Sequence, residues 1–334
     1  MDRISIIGLG LIGSSIGLAL KRAKVEVEIV GHDKERGVSN RSQSAGAVDK
    51  TEMNLFSAIE GARMVIIATP IKAIEEVLRF IGPELREGCI VTDTGSTKGS
   101  VLQWAEQYLP RTVSFVGGHP MAGKEMSGPD GAQADLFQDA TYCIIPGKLA
   151  DQGAVRVVVG LVESMGARPY FIDAAEHDSF VGAVSHLPII LSTVLVQITS
   201  KSPSWPEISK LAATGYRDLT RLASGDPEMS RDICLTNQEG LVYWIDEFIK
   251  EMYAFRGLVK QSDESLWETF DAAWEARDRW MQNKVTAPAA YRGVHVPTTA
   301  ENVGGMLLGD RASGRVREMM DWFKDDKRKK GGRP

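Results

Sequence analysis

Gly8-Leu9-Gly10-Leu11-Ile12-Gly13 follows the apolar run Ser5-Ile6-Ile7 and opens an amphipathic stretch, and this strand, turn and helix order constrains the chain more than any other feature. Gly8 permits the tight turn, Gly10 lets the backbone approach a diphosphate, and Gly13 lets the helix pack closely on the sheet, with the helix N-terminus facing the anion. The context therefore reads as a βαβ unit that binds a dinucleotide. Asp33 ends the next strand-like segment, 20 residues after Gly13, where a carboxylate hydrogen-bonds adenosine ribose hydroxyls and repels a 2′-phosphate. This favours NAD, while Lys34 and Arg36 keep NADP open. Leu11 and Ile12 in the turn, and Thr69 and Pro70 after the apolar run 64–68, complete the candidate cofactor contacts.

At 334 residues the chain is long enough for two domains. Up to about residue 173, short β-branched runs at 5–7, 27–30, 64–68, 89–92, 114–117 and 141–145 alternate with longer amphipathic stretches, which predicts crossover connections and a parallel, doubly wound sheet. Residues 167–172 offer one more strand. After Asp173 the strand signals fade, and 180–199, 207–213, 227–259 and 263–282 read as helices, so an all-α domain over 174–285 follows the α/β domain over 1–173. The remainder, 286–334, contains glycine and proline and ends on a basic run, read as a solvated tail. No internal repeat is visible.

A formal net charge of −5 gives no overall electrostatic reason to bind nucleic acid or an anionic membrane, so the expected partners are small molecules. Residues 4–20 are apolar enough to suggest a signal peptide or anchor. Four glycines, three serines and the strand-like segment that follows argue against both. Three widely spaced cysteines, Cys89, Cys143 and Cys234, have neither metal-type spacing nor the number for a disulfide framework, so no metal is expected and a reducing cytoplasm fits.

Two further strand-to-helix junctions carry polar residues, Thr92-Asp93-Thr94-Gly95-Ser96-Thr97-Lys98 and Gly117-Gly118-His119-Pro120-Met121-Ala122-Gly123-Lys124-Glu125. In an open α/β sheet the carboxyl ends of strands meet the ligand crevice, which puts both loops near the nicotinamide end of the cofactor. A histidine suits proton removal from an alcohol while hydride leaves its carbon, which makes His119 the candidate base and Ser96 the group that orients it or the substrate hydroxyl. Taken alone, His119 is equally well a loop histidine with a local hydrogen bond. His177-Asp178 and Ser185-His186-Leu187-Pro188 form a third cluster. Nine positions separate the two histidines, so one straight helix does not put them on one face and they need separate roles. His186 precedes a proline by two residues, which fits either a core histidine or a ligand-facing kink. Arg217 and Arg221 offer guanidinium groups suited to a substrate carboxylate, with surface salt bridges as the alternative.

Together, Gly8–Gly13, the 93–98 and 118–128 loops, Ser185-His186-Leu187-Pro188 and the segment 215–221 resemble the prephenate/arogenate dehydrogenase family of tyrosine biosynthesis, in order over about residues 1–285. The resemblance implies a Rossmann-type domain followed by a helical domain that forms a homodimer. It implies His119 as catalytic histidine, Ser96 as its assistant, Ser185 and His186 at the substrate, and Arg221, with Arg217, on substrate carboxylate. It also implies NAD(P)-dependent oxidation of prephenate to 4-hydroxyphenylpyruvate, or of arogenate to tyrosine, a choice the residues leave open. Two departures stand out. Ile189 occupies the place of a second histidine that many relatives carry, and Ala213-Thr214-Gly215 replaces a run richer in glycine. With no separate regulatory domain expected after 285, feedback inhibition by tyrosine would act at the active site. A β-hydroxyacid dehydrogenase would carry its lysine on a helix instead of this polar loop load. A non-catalytic NAD sensor would need neither Ser96, His119 nor Arg221.

Overall fold

The computed structural model describes residues 2–285 except 125 and 127, so the tail expected over 286–334 lies outside the described residues. Eight strands form one sheet in the order β3-β2-β1-β4-β5-β6-β7-β8. They are β1 (Asp2–Ile7), β2 (Val27–His32), β3 (Lys50–Thr51), β4 (Met64–Ile67), β5 (Ile90–Asp93), β6 (Ser114–Pro120), β7 (Thr141–Pro146) and β8 (Arg168–Phe171). The chain crosses over through α1 (Leu11–Arg22), α2 (Arg36–Ser44), α3 (Leu55–Ile59), α4 (Ile71–Ile81), α5 (Gly99–Tyr108) and, between β7 and β8, α6 (Gln152–Ser164).

Both faces of this sheet are covered, which is why its strands read as near-continuous apolar runs. Along β1 and β4, Ile4, Ile6, Met64 and Ile66 face one core, shared with Ile16, Leu20 and Val158. Ile7, Val65 and Ile67 face the other, shared with Ile74, Leu78 and Phe115. Each fully buried isoleucine contributes about 1.5–3 kcal/mol by leaving water.

The sheet differs from the wholly parallel one expected, because β7 runs antiparallel to β6. The physical reason lies in the connection. Among the described residues of 121–140 the helical structure is a short 3₁₀ turn, Pro129–Gly131, and with no crossover helix among them the chain returns along the neighbouring edge. The two-residue β3 escaped the sequence reading because it is too short to show a period.

The helices that follow are α7 (Ala174–Val181), a π-helical turn (Gly182–His186), α8 (Leu187–Ser200), α9 (Trp205–Ile208), α10 (Thr214–Thr220), α11 (Pro227–Thr236), α12 (Gln238–Gln261) and α13 (Leu266–Met281). Asp173 starts α7 by accepting hydrogen bonds from Ala175 and Glu176 backbone N–H groups at 2.8 and 2.9 Å. The segment expected as one helix over 227–259 is broken at Asn237, whose φ of −129° and ψ of 47° leave the helical region. By contacts the chain groups into two units, Met1–Leu241 and Val242–Pro334. In the first, α11 docks on the sheet domain: buried Asp232 accepts from Lys72 N–H at the start of α4, and Thr236 shares a 2.9 Å hydroxyl hydrogen bond with Thr97. In the second, α13 exposes Trp267, Phe270 and Trp274 along one side. The helical run Ala174–Ser200 is long enough to cross a membrane, its most apolar 18-residue window has a mean hydropathy of 1.9, and only 22% of that window is buried.

Candidate active site

The glycine turn has three different environments. Gly8 adopts φ +93°, and a Cβ there would meet Ala68 O at 2.5 Å. A Cβ on Gly13 would lie 1.9 Å from Gly8 O, so the first turn of α1 sits directly on the strand-end loop. A Cβ on Gly10 meets nothing within 4 Å. Open space therefore lies over the start of α1, where Gly10 occupies the N-cap without a side-chain cap and no acid sits in the first turn. That combination of free N–H groups and room fits a dinucleotide diphosphate. Asp33, just past β2, accepts from Leu9 N–H and Glu35 N–H at 2.9 Å each, which braces the glycine turn. Each carboxylate oxygen keeps a second lone-pair direction for ribose hydroxyls. The buried Thr69 hydroxyl beside this turn has no hydrogen-bond partner, and Pro70 occupies the N-cap of α4.

Asp93 ends β5 and His119 lies near the end of β6, at the carboxyl edge of the parallel strands. A buried ion pair holds the two together. Lys98 Nζ bonds the Asp93 carboxylate and donates to Gly118 O at 2.8 Å, while Asp93 accepts from Gly118 N–H at 3.2 Å and Gly95 N–H at 2.8 Å. Both backbone polar groups of Gly118, the residue before His119, are thus clamped. A Cβ on Gly118 would meet Asp93 O at 2.6 Å, so only glycine permits this approach.

Across from this edge, Asp178 on α7 caps the N-terminus of α5, accepting from Lys98 N–H and Gly99 N–H at 2.8 Å each. The same carboxylate bonds His177 Nδ1 at 2.8 Å, and His177 Nε2 bonds His119 Nδ1 at 2.9 Å. An ionised carboxylate only accepts, so His177 carries its proton on Nδ1 and presents a lone pair at Nε2. His119 must then donate from Nδ1, which leaves a lone pair at its Nε2. The chain of hydrogen bonds therefore prepares His119 as a base. Burial holds the His119 pKa well below its ordinary 6.5, helped by nearby His177, Lys98 and His186, so the ring is neutral at pH 7.

His186 lies at the end of the π turn. Leu187 N–H reaches back to Gly182 O, and Pro188 has no N–H to offer the preceding turn. This under-wound turn brings His177 and His186 close enough to interact electrostatically, where a regular helix would hold them on opposite sides. Burial drops His186 to a pKa of about 4, opposed by Asp178 and the Ser96 backbone. Its Nε2 is buried and makes no well-formed hydrogen bond.

Because these two rings are held neutral when folded but titrate near 6.5 when unfolded, the unfolded chain binds more protons below that pH. Stability is then complete above pH 6.5 and falls as pH drops toward about 4, with His186 alone contributing a loss on the order of 3 kcal/mol. Urea melts at pH 7.5, 6 and 4.5 test this, and a flat midpoint would contradict it.

Of the sequence candidates, the structure brings His119, His186 and the Ser96 loop together. Ser96 is half-buried on the loop between β5 and α5, and Ser185 is half-buried in the π turn. Arg217 and Arg221 lie on the exposed α10 and the turn after it, which packs on α8 through Ala223 N–H donating to Ser192 Oγ at 2.9 Å. Ile189 packs against the second core, so no polar group replaces a histidine there. Sequence reasoning quoted Asp93, Lys98, His177 and Asp178 without assigning any of them a specific role, and it did not single out Asn237. The visible signals were an aspartate and a lysine five residues apart at one strand-end junction and a His-Asp pair just inside an aspartate-capped helix.

A doubly wound sheet with an open glycine turn, and a neutral buried imidazole at the carboxyl edge of the same sheet, suit a dinucleotide-dependent oxidoreductase. Residues 16–171 match the prephenate dehydrogenase nucleotide-binding domain, and residues 173–272 the prephenate dehydrogenase dimerization domain. The chain belongs to the prephenate dehydrogenase family. It is 36% identical to a prephenate dehydrogenase of Bacillus subtilis, over 93% of this chain and 86% of that one. It is 32% identical to a cyclohexadienyl dehydrogenase of Zymomonas mobilis, over 82% of this chain and 94% of that one. The solved prephenate dehydrogenase of A. aeolicus, in complex with hydroxyphenyl propionate and NAD+, superposes with a TM-score of 0.78 at 29% identity, covering 84% of this chain and 98% of that one. Synechocystis arogenate dehydrogenase gives a TM-score of 0.71 at 27% identity, covering 83% and 99%. The glycine turn lies N-terminal to the matched residues 16–171.

The glycine geometry gives a paired expectation. Gly10→Ala leaves stability within about 0.5 kcal/mol and weakens NADH binding at least about tenfold, because its methyl enters the open space. Gly13→Ala costs about 3 kcal/mol or more through its backbone clash. Thermal melts and NADH fluorescence titrations separate the two, and equal losses of stability would refute the distinction.

Proposed function

We propose that the chain catalyses the NAD-dependent oxidative decarboxylation of prephenate to 4-hydroxyphenylpyruvate. The observation that carries this reading is His119, neutral and tautomer-fixed through His177 and Asp178 at the carboxyl edge of the sheet. When bound, the nicotinamide supplies a hydride acceptor for the ring carbon that bears the hydroxyl. His119 Nε2 takes the hydroxyl proton as that carbon becomes a carbonyl. The bond from the opposite ring carbon to its carboxylate then breaks, carbon dioxide leaves, and its electrons make the ring aromatic, with a proton returning to the oxygen. Ser96 orients the hydroxyl, Ser185 and His186 offer further hydrogen bonds to the substrate, and Arg221, with Arg217, binds substrate carboxylate. Asp33 favours NAD over NADP by meeting a 2′-phosphate with like charge.

The active form in this reading is a homodimer. Val184 and Ile198 on the Ala174–Ser200 run are 73% and 64% exposed, and the match to a dimerization domain supports a second copy of the chain, not lipid, as their cover. Three unpaired cysteines, two of them buried, support a cytoplasmic location. Following NADH and NADPH formation with prephenate and with arogenate, alongside sedimentation to measure the assembly, tests the whole reading. Turnover of arogenate alone would shift the substrate, and no turnover of either acid by folded protein would refute the function.

A further inference from the structure

We infer that Asn237 is a positioning residue that fixes His186 as a neutral Nε2–H donor facing the substrate, the opposite polarity to His119. This rests on the site reading above.

Asn237 sits in the break between α11 and α12, and its side chain is turned into unit 1. Its Nδ2 lies 2.7 Å from Asp178 backbone O and 3.0 Å from His186 Nδ1. A carbonyl oxygen can only accept, so the atom facing Asp178 must be the amide nitrogen, and the orientation of the amide is settled by that contact. The second amide hydrogen is then directed at His186 Nδ1, which must present a lone pair. A neutral imidazole with a lone pair on Nδ1 carries its proton on Nε2. That Nε2 is the buried nitrogen without a well-formed partner. The Ser96 backbone lies beside this ring without a well-aligned hydrogen bond to Nε2, and a substrate oxygen that completes the bond recovers part of the about 1–3 kcal/mol that a poorly satisfied buried donor costs.

Asp178 thus specifies both histidines through two different atoms. Its carboxylate, through His177, leaves His119 an acceptor, and its backbone carbonyl, through Asn237, leaves His186 a donor. The groups facing His186 from the packed elements are His177 and Asp178 of α7, the Ser96 backbone and Asn237. With burial dominant, the ring stays neutral above pH 4 or so and does not compete with His119 for the substrate proton. The donor suits an anionic or carbonyl oxygen of the substrate, not the hydroxyl proton that His119 removes.

Nitrogen-15 NMR of histidine-labelled protein reads the tautomers directly, and only five histidines need assignment. The wild type is expected to show His186 neutral between pH 6 and 8 with its proton on Nε2. Asn237→Asp, whose carboxylate accepts where the amide donates, is expected to move the proton to Nδ1. It should raise KM for prephenate about tenfold while kcat stays within about threefold. Asn237→Ala should give a mixed tautomer and an intermediate KM. A wild-type His186 protonated on Nδ1 overturns the inference. So does a folded Asn237→Asp protein with unchanged tautomer and KM. If neither variant folds, the wild-type spectrum decides between Nε2–H, which supports the assignment, and Nδ1–H, which ends it. Because the spectrum is taken without substrate, the tautomer assignment stands or falls apart from whether prephenate is turned over.

Discussion

His119→Ala is expected to lower kcat for prephenate by about 10²–10⁴-fold, the range that removal of a positioned general base produces. The fold around the substitution should survive. The backbone of Gly118, just before residue 119, is held by Lys98 and Asp93 and not by the imidazole, and the ring's own link is a single hydrogen bond to His177. Loss of rate with an unchanged melting temperature is therefore the signature. The pH profile sharpens the assignment. The His119 pKa lies well below 6.5, so the acid limb of wild-type kcat/KM should fall below that pH, and activity should be flat from there to neutrality. In His119→Ala that limb should vanish. Undiminished turnover in the folded variant would remove His119 from the mechanism.

Asp178→Asn is expected to cost about 10²–10⁴-fold in kcat although His119 itself is intact. The amide can place its N–H against His177 Nδ1, which then gives up its proton to Nε2. His177 Nε2–H would face His119 Nδ1–H, and the clash is relieved only if His119 moves its proton to Nε2, the position that must be unprotonated to act as a base. Inverting a histidine tautomer by the same exchange in serine-protease triads costs about 10⁴-fold. The amide also keeps only one acceptor for Lys98 and Gly99 N–H, so the start of α5 loses part of its cap and about 1 kcal/mol of stability. Stopped-assay rates on protein of verified fold, with the His119 tautomer read by nitrogen-15 NMR, check both effects. A folded Asp178→Asn enzyme within threefold of wild type would show that the relay has no catalytic weight.

These expectations mix residues that were legible in the sequence with residues that were not. Gly8, Gly10 and Gly13 could be read in advance because each answers a local requirement: a positive φ, an open approach and a helix seated on its own strand loop. Asp33 and His119 followed from position at strand ends, since a parallel sheet sends those ends to one crevice. The antiparallel β7 was not legible, because strand direction depends on whether the intervening loop packs as a crossover, and residues 121–140 carry no helical period to announce it.

The sequence by itself determined the α/β class, the cofactor turn and the helical second half, and it singled out the strand-end histidine proposed as the base. Each depends on spacing within a few residues or on a strand end. Tertiary structure decided what makes that base work. His177 lies 58 positions from His119, Asn237 lies 51 from His186, and Lys98 meets Gly118 across two strands. A π turn and a helix break, neither visible as a period, aim His186 and Asn237. Proton placement on an imidazole is set by whatever touches its other nitrogen, and in a folded chain that partner comes from anywhere in the sequence.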